Sequence, residues 1–151
     1  MDEVPEDAKR NLRIFDHINK DSKAGRRVAI WAISEYYGSI ISDAAEYFDF
    51  EKITGQLGPQ WRTISKQFRE RANIDIPDEY NEYINKLHEK LNRVDHDFNF
   101  DPGRGILTSC REMAEEWAKW FQSNLDIYIT EVDSAHSKYE QKTGDTLDFE
   151  F

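Results

Sequence analysis

Two side chains three residues apart, Arg93 and His96, stand within the stretch KLNRVDHDFNFDPGRGI, residues 90–106. On a helix that spacing makes them surface neighbours, about 5–6 Å apart at Cβ. A guanidinium grips a phosphate with two parallel hydrogen bonds, and an imidazole with an ordinary pKa of about 6.5 exchanges protons at neutral pH. The segment DPGRG then opens the next helical pattern. The first backbone N–H groups of that helix lack intrahelical partners, and with Arg104 and Lys90 beside them they offer an anion a place to sit. A phosphate could thus meet a guanidinium, an imidazole and a helix N-terminus together, with His96 suited to general acid–base work and Arg93 to two-pronged phosphate contact. A structural use competes. Arg93 and His96 near a helix C-terminus complement the dipole and cap its last carbonyls. Asp95, Asp97 and Asp101 also surround them and offer local ion pairs.

A second basic feature lies upstream. Arg62, Lys66 and Arg69 recur at i, i+4 and i+7, opposite an aromatic stripe that includes Trp61. In an acidic chain, such a row can hold nucleic acid or an acidic partner. It can equally be a solvated face that pairs with the protein's own carboxylates.

Other chemistries lack their patterns. The histidines are His17, His88, His96 and His136, and no His-Glu-x-x-His, Glu-x-x-His or Cys/His cluster occurs among them. His88 and His96 point about 80° apart on a helix. No metal and no cofactor is therefore expected. Phosphate-binding glycine motifs and the Gly-x-Ser-x-Gly elbow are absent as well. The single cysteine, Cys110, lies within an apolar stripe and reads as a small buried hydrophobe.

Five helices are expected to position these groups. The first, about 5–20, opens at Pro5 with early acids and carries Leu12, Phe15 and Ile18 on one face. The second, about 24–48, aligns Ile30, Ile33, Tyr37, Ile40 or Ile41, Ala44 and Phe48. Trp31 and Tyr36 widen that face, which marks this helix as the most buried. The segment TGQLGP leads into a third helix, about 59–72, with Trp61, Ile64, Phe68 and Ala72 inward. The segment NIDIPDE breaks the pattern, since Pro77 disfavours helix for the residue before it. The fourth, about 78–96, repeats Tyr80, Ile84, Leu87, Leu91 and Val94. The fifth, about 105–132, carries Ile106, Cys110, Met113, Trp117, Trp120 or Phe121, and Tyr128. No strand-like alternation of any length appears, so the expected architecture is all-α, a single helical bundle over residues 1–132. Residues 133–151 turn polar with an acidic, aromatic end and are expected to form a flexible or docked tail.

A chain of 151 residues is the length of one domain, and nine Phe, seven Tyr and four Trp supply a core. A formal charge of −10 argues against a general DNA-coating role or an anionic-membrane binder and suits a basic partner. The lone cysteine fits a reducing, cytoplasmic setting. The longest apolar run, VAIWAI, falls far short of the roughly 20 residues of a membrane span. The acidic start MDEVPEDAKR is not expected to act as a signal peptide.

The order of elements, with the segment NRVDHDFNFD ending a late helix, resembles the HEPN superfamily of small helical bundles. The likeness spans roughly residues 24–132 in helix order, and its motif rests on Arg93, His96 and the trailing Asp and aromatic residues. The family sets its Arg farther from its His than Arg93 stands from His96; Lys90 holds the family's distance but lacks the planar fork. What the resemblance implies is metal-independent RNA cleavage across a homodimer in a toxin, defence or regulatory setting. His96 would work on the ribose hydroxyl or leaving group, and Arg93 would stabilise the phosphorane. It implies equally a non-catalytic RNA-binding relative. The alternative, from charge alone, is a non-enzymatic acidic interaction module: an inhibitor, immunity protein or adaptor for a basic protein partner.

Overall fold

The computed structural model describes residues 4–48 and 56–143. Five α-helices fill them, and no strand occurs among the described residues. They are α1 (Glu6–His17), α2 (Lys23–Asp43), α3 (Leu57–Ala72), α4 (Asp78–His96) and α5 (Gly105–Thr143), with a 3₁₀ turn at Ala45–Tyr47. The chain is an all-α bundle, as its periodicity predicts.

The helix ends follow from local chemistry. Ser22 caps α2, its hydroxyl accepting from the Gly25 N–H at 3.0 Å. Asn73 ends α3 in the left-handed region at φ 52°, which lets Ile74 N–H reach back to the Phe68 carbonyl. Lys20 turns back to donate to the carbonyls of Phe15 and Ile18 and closes α1 at His17, short of residue 20. Pro77 stands just before α4, and Asp78 and Glu79 occupy its first turn, where acids complement the dipole.

α2 is the central helix and touches each of the other four. Its buried arc holds Ile30, Ile33, Tyr37, Ile40 and Ile41, all fully inaccessible. α1 folds back along α2, while α3, α4 and α5 pack on one another and close the remaining sides. The centre is aromatic. Trp117 stacks on Phe121 at 5.3 Å and lies 4.6 Å from Tyr37 and 5.9 Å from Trp61. Phe48 stacks on Tyr128 at 4.7 Å and meets Phe68 edge-on. Two of these rings find partners for their polar handles: Tyr37 Oη donates to the Cys110 carbonyl at 2.7 Å, and Trp61 Nε1 donates to Asn81 at 2.8 Å, whereas the buried Trp117 Nε1 has no hydrogen-bond partner among the described residues.

Two expectations change. Trp31 does not widen the buried face; it is 45% exposed. One residue on from Ile30 is a turn of about 100°, which carries Trp31 off the buried arc to a hollow it lines with Asp7, Arg10 and Ile14 of α1. α5 continues to Thr143, through half of the stretch assigned to a tail. Residues 133–143 contain no glycine or proline, and the first glycine after Gly105 is Gly144. The acidic end, residues 144–151, lies outside the described residues.

Candidate functional site

The loop from α4 to α5 is held by arginines from α2. Arg27 donates to three carbonyls there: Val94 at 2.7 Å, Asp97 at 2.9 Å and Phe100 at 2.6 Å. Val94 lies in the last turn of α4, Asp97 is its C-cap and Phe100 stands in the loop beyond, so Arg27 ties the end of that helix to the loop from across the bundle. Arg26 makes a two-pronged ion pair with Asp101, Nε to Oδ1 at 2.9 Å and Nη2 to Oδ2 at 2.7 Å. The Gly103 N–H donates to the same Oδ1 at 2.9 Å, in a turn where Gly103 takes φ 77°. The Arg26 guanidinium and this N–H hold the Asp101 carboxyl well below the usual carboxylate range.

Arg93 and His96, expected as a catalytic pair, are both exposed on the last turn of α4. Arg93 makes no ion pair among the described residues; its guanidinium lies 4.0 Å from the centre of the Phe100 ring. Lys90, one turn earlier, approaches that ring at 5.6 Å. Both cations thus brace the loop through Phe100. Of the acids beside them, Asp101 is taken by Arg26 and Asp97 accepts from the Asn99 N–H at 3.0 Å, while Asp95 pairs with neither Arg93 nor His96 among the described residues.

Arg104 is turned away to Asp21 in the α1–α2 loop. It lines a hollow of about 240 Å³ with Lys20 and Arg111, and neither Arg93 nor His96 lines that hollow. The cations there are already engaged: Lys20 by two carbonyls, and Arg111 by a two-pronged pair with Asp16 at 2.8 and 3.0 Å. The structure therefore does not gather Arg93, His96 and Arg104 into one concave site. Arg62, Lys66 and Arg69 form an exposed row on α3, and none of them has an ion-pair partner among the described residues.

A different concavity lies over α2. Glu35, Gly38, Ser39, Ser42 and Asp43 form its floor; Asp7 closes one side and His88 and Asp95 of α4 the other. The cleft encloses about 540 Å³. Of its four carboxylates, Asp7 pairs with Arg10, while Glu35, Asp43 and Asp95 have no ion-pair partner among the described residues. A Cβ added at Gly38 would meet nothing within 4 Å, so the helix backbone is bare at the cleft floor.

Among the described residues, His88 is the cleft's one basic side chain. It is half-buried, and its ring lies flat against Gly58, where an added Cβ would sit 2.6 Å from it. Burial, and then the nearby Arg62 charge, lower its pKa from the ordinary histidine value. Elsewhere burial pushes the Cys110 thiol up to about 12 and the Tyr36 hydroxyl up to about 12. A thiol so shifted is no nucleophile at neutral pH. No group of three or more His, Cys, Asp or Glu side chains among the described residues is placed to hold a metal ion. No described helix is long and apolar enough to cross a membrane.

No protein-family model matches this chain, and neither a curated protein nor a solved structure matches it. What the site does is therefore argued from its own geometry.

Sequence reasoning missed the two residues that organise the α4–α5 loop. A signal for them exists. Arg26 and Arg27 sit in the opening turns of α2, where cations oppose the helix dipole, and no acid accompanies them in its first turn. Cations placed against the dipole point to a partner elsewhere, and both find one some 70 residues on. The acidic cleft had no such signal, because its carboxylates come from α1, α2 and α4 and converge only in space.

Proposed function

We propose that this protein is a non-enzymatic acidic interaction module that binds a basic protein partner. The observation that carries this reading is the cleft over α2, with Glu35, Asp43 and Asp95 unneutralised at its walls and floor. Unpaired carboxylates in a concavity focus negative potential, raise the encounter rate with a cation and disfavour a phosphate. The formal charge of −10 acts in the same direction at longer range. An inhibitor, immunity protein or adaptor role would each use this surface.

The test is titration calorimetry with poly-L-lysine and with poly-L-glutamate at about 50 and 300 mM salt, where the screening length changes by more than twofold. Binding to the first alone, weakened at high salt, is the expected result. No binding to either polymer, together with cleavage of RNA, would overturn it.

A second reading, an HEPN-like module acting on or binding RNA, rests on Arg93 and His96. Both are solvent-exposed on one turn, and Arg93 is free of ion pairs among the described residues. Incubation of structured and single-stranded RNA with the wild type and His96→Ala, chelator present, tests it. Cleavage lost in the variant supports that reading, and equal inactivity of both removes its catalytic form.

A further inference from the structure

Trp31 is the one tryptophan of this chain that α2 turns outward, and it stands at the end of the acidic cleft. It is 45% exposed, whereas Trp61 and Trp117 are fully buried. Its ring carries no aromatic or cationic partner among the described residues. It lines a smaller hollow of about 300 Å³ between α1 and α2, together with Asp7, Arg10, Glu35 and Ser39. Asp7, Glu35 and Ser39 also line the larger cleft, so the two concavities adjoin. Along α2 the outward positions are Trp31, Glu35, Gly38 and Ser42, spaced by three and four, which places them on one face. From Trp31 to Ser42 that face runs about 17 Å. An extended segment of about five residues spans the same length.

We infer that this groove binds an extended, arginine- or lysine-containing peptide segment, with one cationic side chain seated over the Trp31 ring beside Glu35. This rests on the acidic-module reading and names its site and its ligand chemistry. A cation over an indole face is attracted by the ring quadrupole, and Trp is the strongest aromatic partner for it. Glu35 supplies the countercharge at the same place, free of any internal ion pair among the described residues. The Arg10 charge in the smaller hollow is held by Asp7, its ion-pair partner, so Glu35 sets the sign there. Farther along, Asp43 and Asp95 meet a second cation of the segment, and bare backbone at Gly38 leaves room for its main chain. An anionic membrane surface or a polyphosphate is disfavoured by the sign of the charge.

The experiment titrates acetyl-(Arg-Ala)₄-amide into the full chain, followed by tryptophan fluorescence and calorimetry. Three variants are compared, each checked for unchanged helical circular dichroism: Trp31→Leu, the pair Glu35→Gln with Asp43→Asn, and a charge-matched control, Glu70→Gln with Glu131→Gln. The two control positions are exposed and lie on α3 and α5, away from the groove. The expected result is a change in wild-type fluorescence on binding that disappears in Trp31→Leu. Affinity should fall about threefold in that variant, the worth of an exposed cation–π contact, and at least tenfold in the groove pair. The control pair should bind within twofold of the wild type. Unchanged affinity in Trp31→Leu with loss in the groove pair overturns the Trp31 subsite and leaves the acidic reading standing. Equal weakening in the groove and control pairs overturns the groove and leaves only the net charge. A peptide that binds none of the proteins, while poly-L-lysine binds the wild type, overturns the extended-segment inference alone. Failure of both ligands overturns both readings.

Discussion

Arg26 and Asp101 lock the first turns of α2 to the loop that leads into α5, through two parallel hydrogen bonds of 2.9 and 2.7 Å. Asp101 is held below its ordinary carboxylate range chiefly by Arg26 and then by the Gly103 N–H. As pH falls, the unfolded chain takes up this proton first. The pair's contribution is therefore complete above about pH 4 and is lost as pH falls below it, toward the lowered folded-state value. Asp101→Asn keeps an acceptor for Gly103 but not the ion pair. Its urea midpoint should lie below that of the wild type at pH 7, and the gap should narrow steadily below pH 4.

Two glycines of α2 should respond in opposite directions to the same methyl group. A Cβ at Gly25 would stand 1.6 Å from the Asn19 carbonyl oxygen, which is backbone and cannot step aside without opening the α1–α2 turn. Gly25→Ala should cost about 3 kcal/mol in chemical denaturation. A Cβ at Gly38 would meet nothing within 4 Å. Gly38→Ala, mid-helix, should stabilise by about 0.5–1 kcal/mol through lower unfolded-state entropy.

His88 should titrate below the ordinary histidine value, because its ring is half-buried against Gly58 with Arg62 nearby. The sign follows directly: the unfolded chain protonates first below about pH 6.5, so His88 contributes stability above that pH which is lost as pH falls. Nitrogen-15 NMR titration of the histidines reads this out. Arg62→Gln should raise the His88 midpoint part of the way, since burial is the larger cause. A His88 midpoint that stays put in Arg62→Gln would remove the Arg62 contribution.

Trp117 is fully buried among Tyr37, Trp61 and Phe121. Trp117→Ala should cost about 3–5 kcal/mol, the range for emptying an aromatic site in a packed core. Trp31→Ala, on the same bundle but at its surface, should cost well under half of that. The two urea midpoints compare them directly.

Arg93 shows how far the candidate site was legible in the sequence. Its place on the last turn of α4 and its separation from His96 by one turn follow from periodicity, and the structure has both. Its partner does not follow from periodicity. The sequence offered Asp95, Asp97 and Asp101 as neighbours, yet the contact is the Phe100 ring, because Arg26 has already taken Asp101. Arg104 illustrates the same point: it opens the fifth helix where DPGRG puts it, and turns to Asp21.

What the sequence by itself determined was every pattern of short range. Apolar residues at spacings of three and four marked five helices, and the break from Asn73 to Pro77 set the end of α3 and the start of α4, whereas α2 stops at Asp43 rather than 48 and α5 runs on to Thr143 rather than 132. Helical periodicity is a property of adjacent turns, so it is written locally. Only the tertiary structure decided which flank of α2 stays open. That depends on where α1 and α4 pack against α2, and together they leave Trp31, Glu35 and Asp43 exposed. It also decided that Arg26 and Arg27 serve a loop some 70 residues away. Charges distant in sequence meet through helix packing, whose geometry no single stretch of chain encodes.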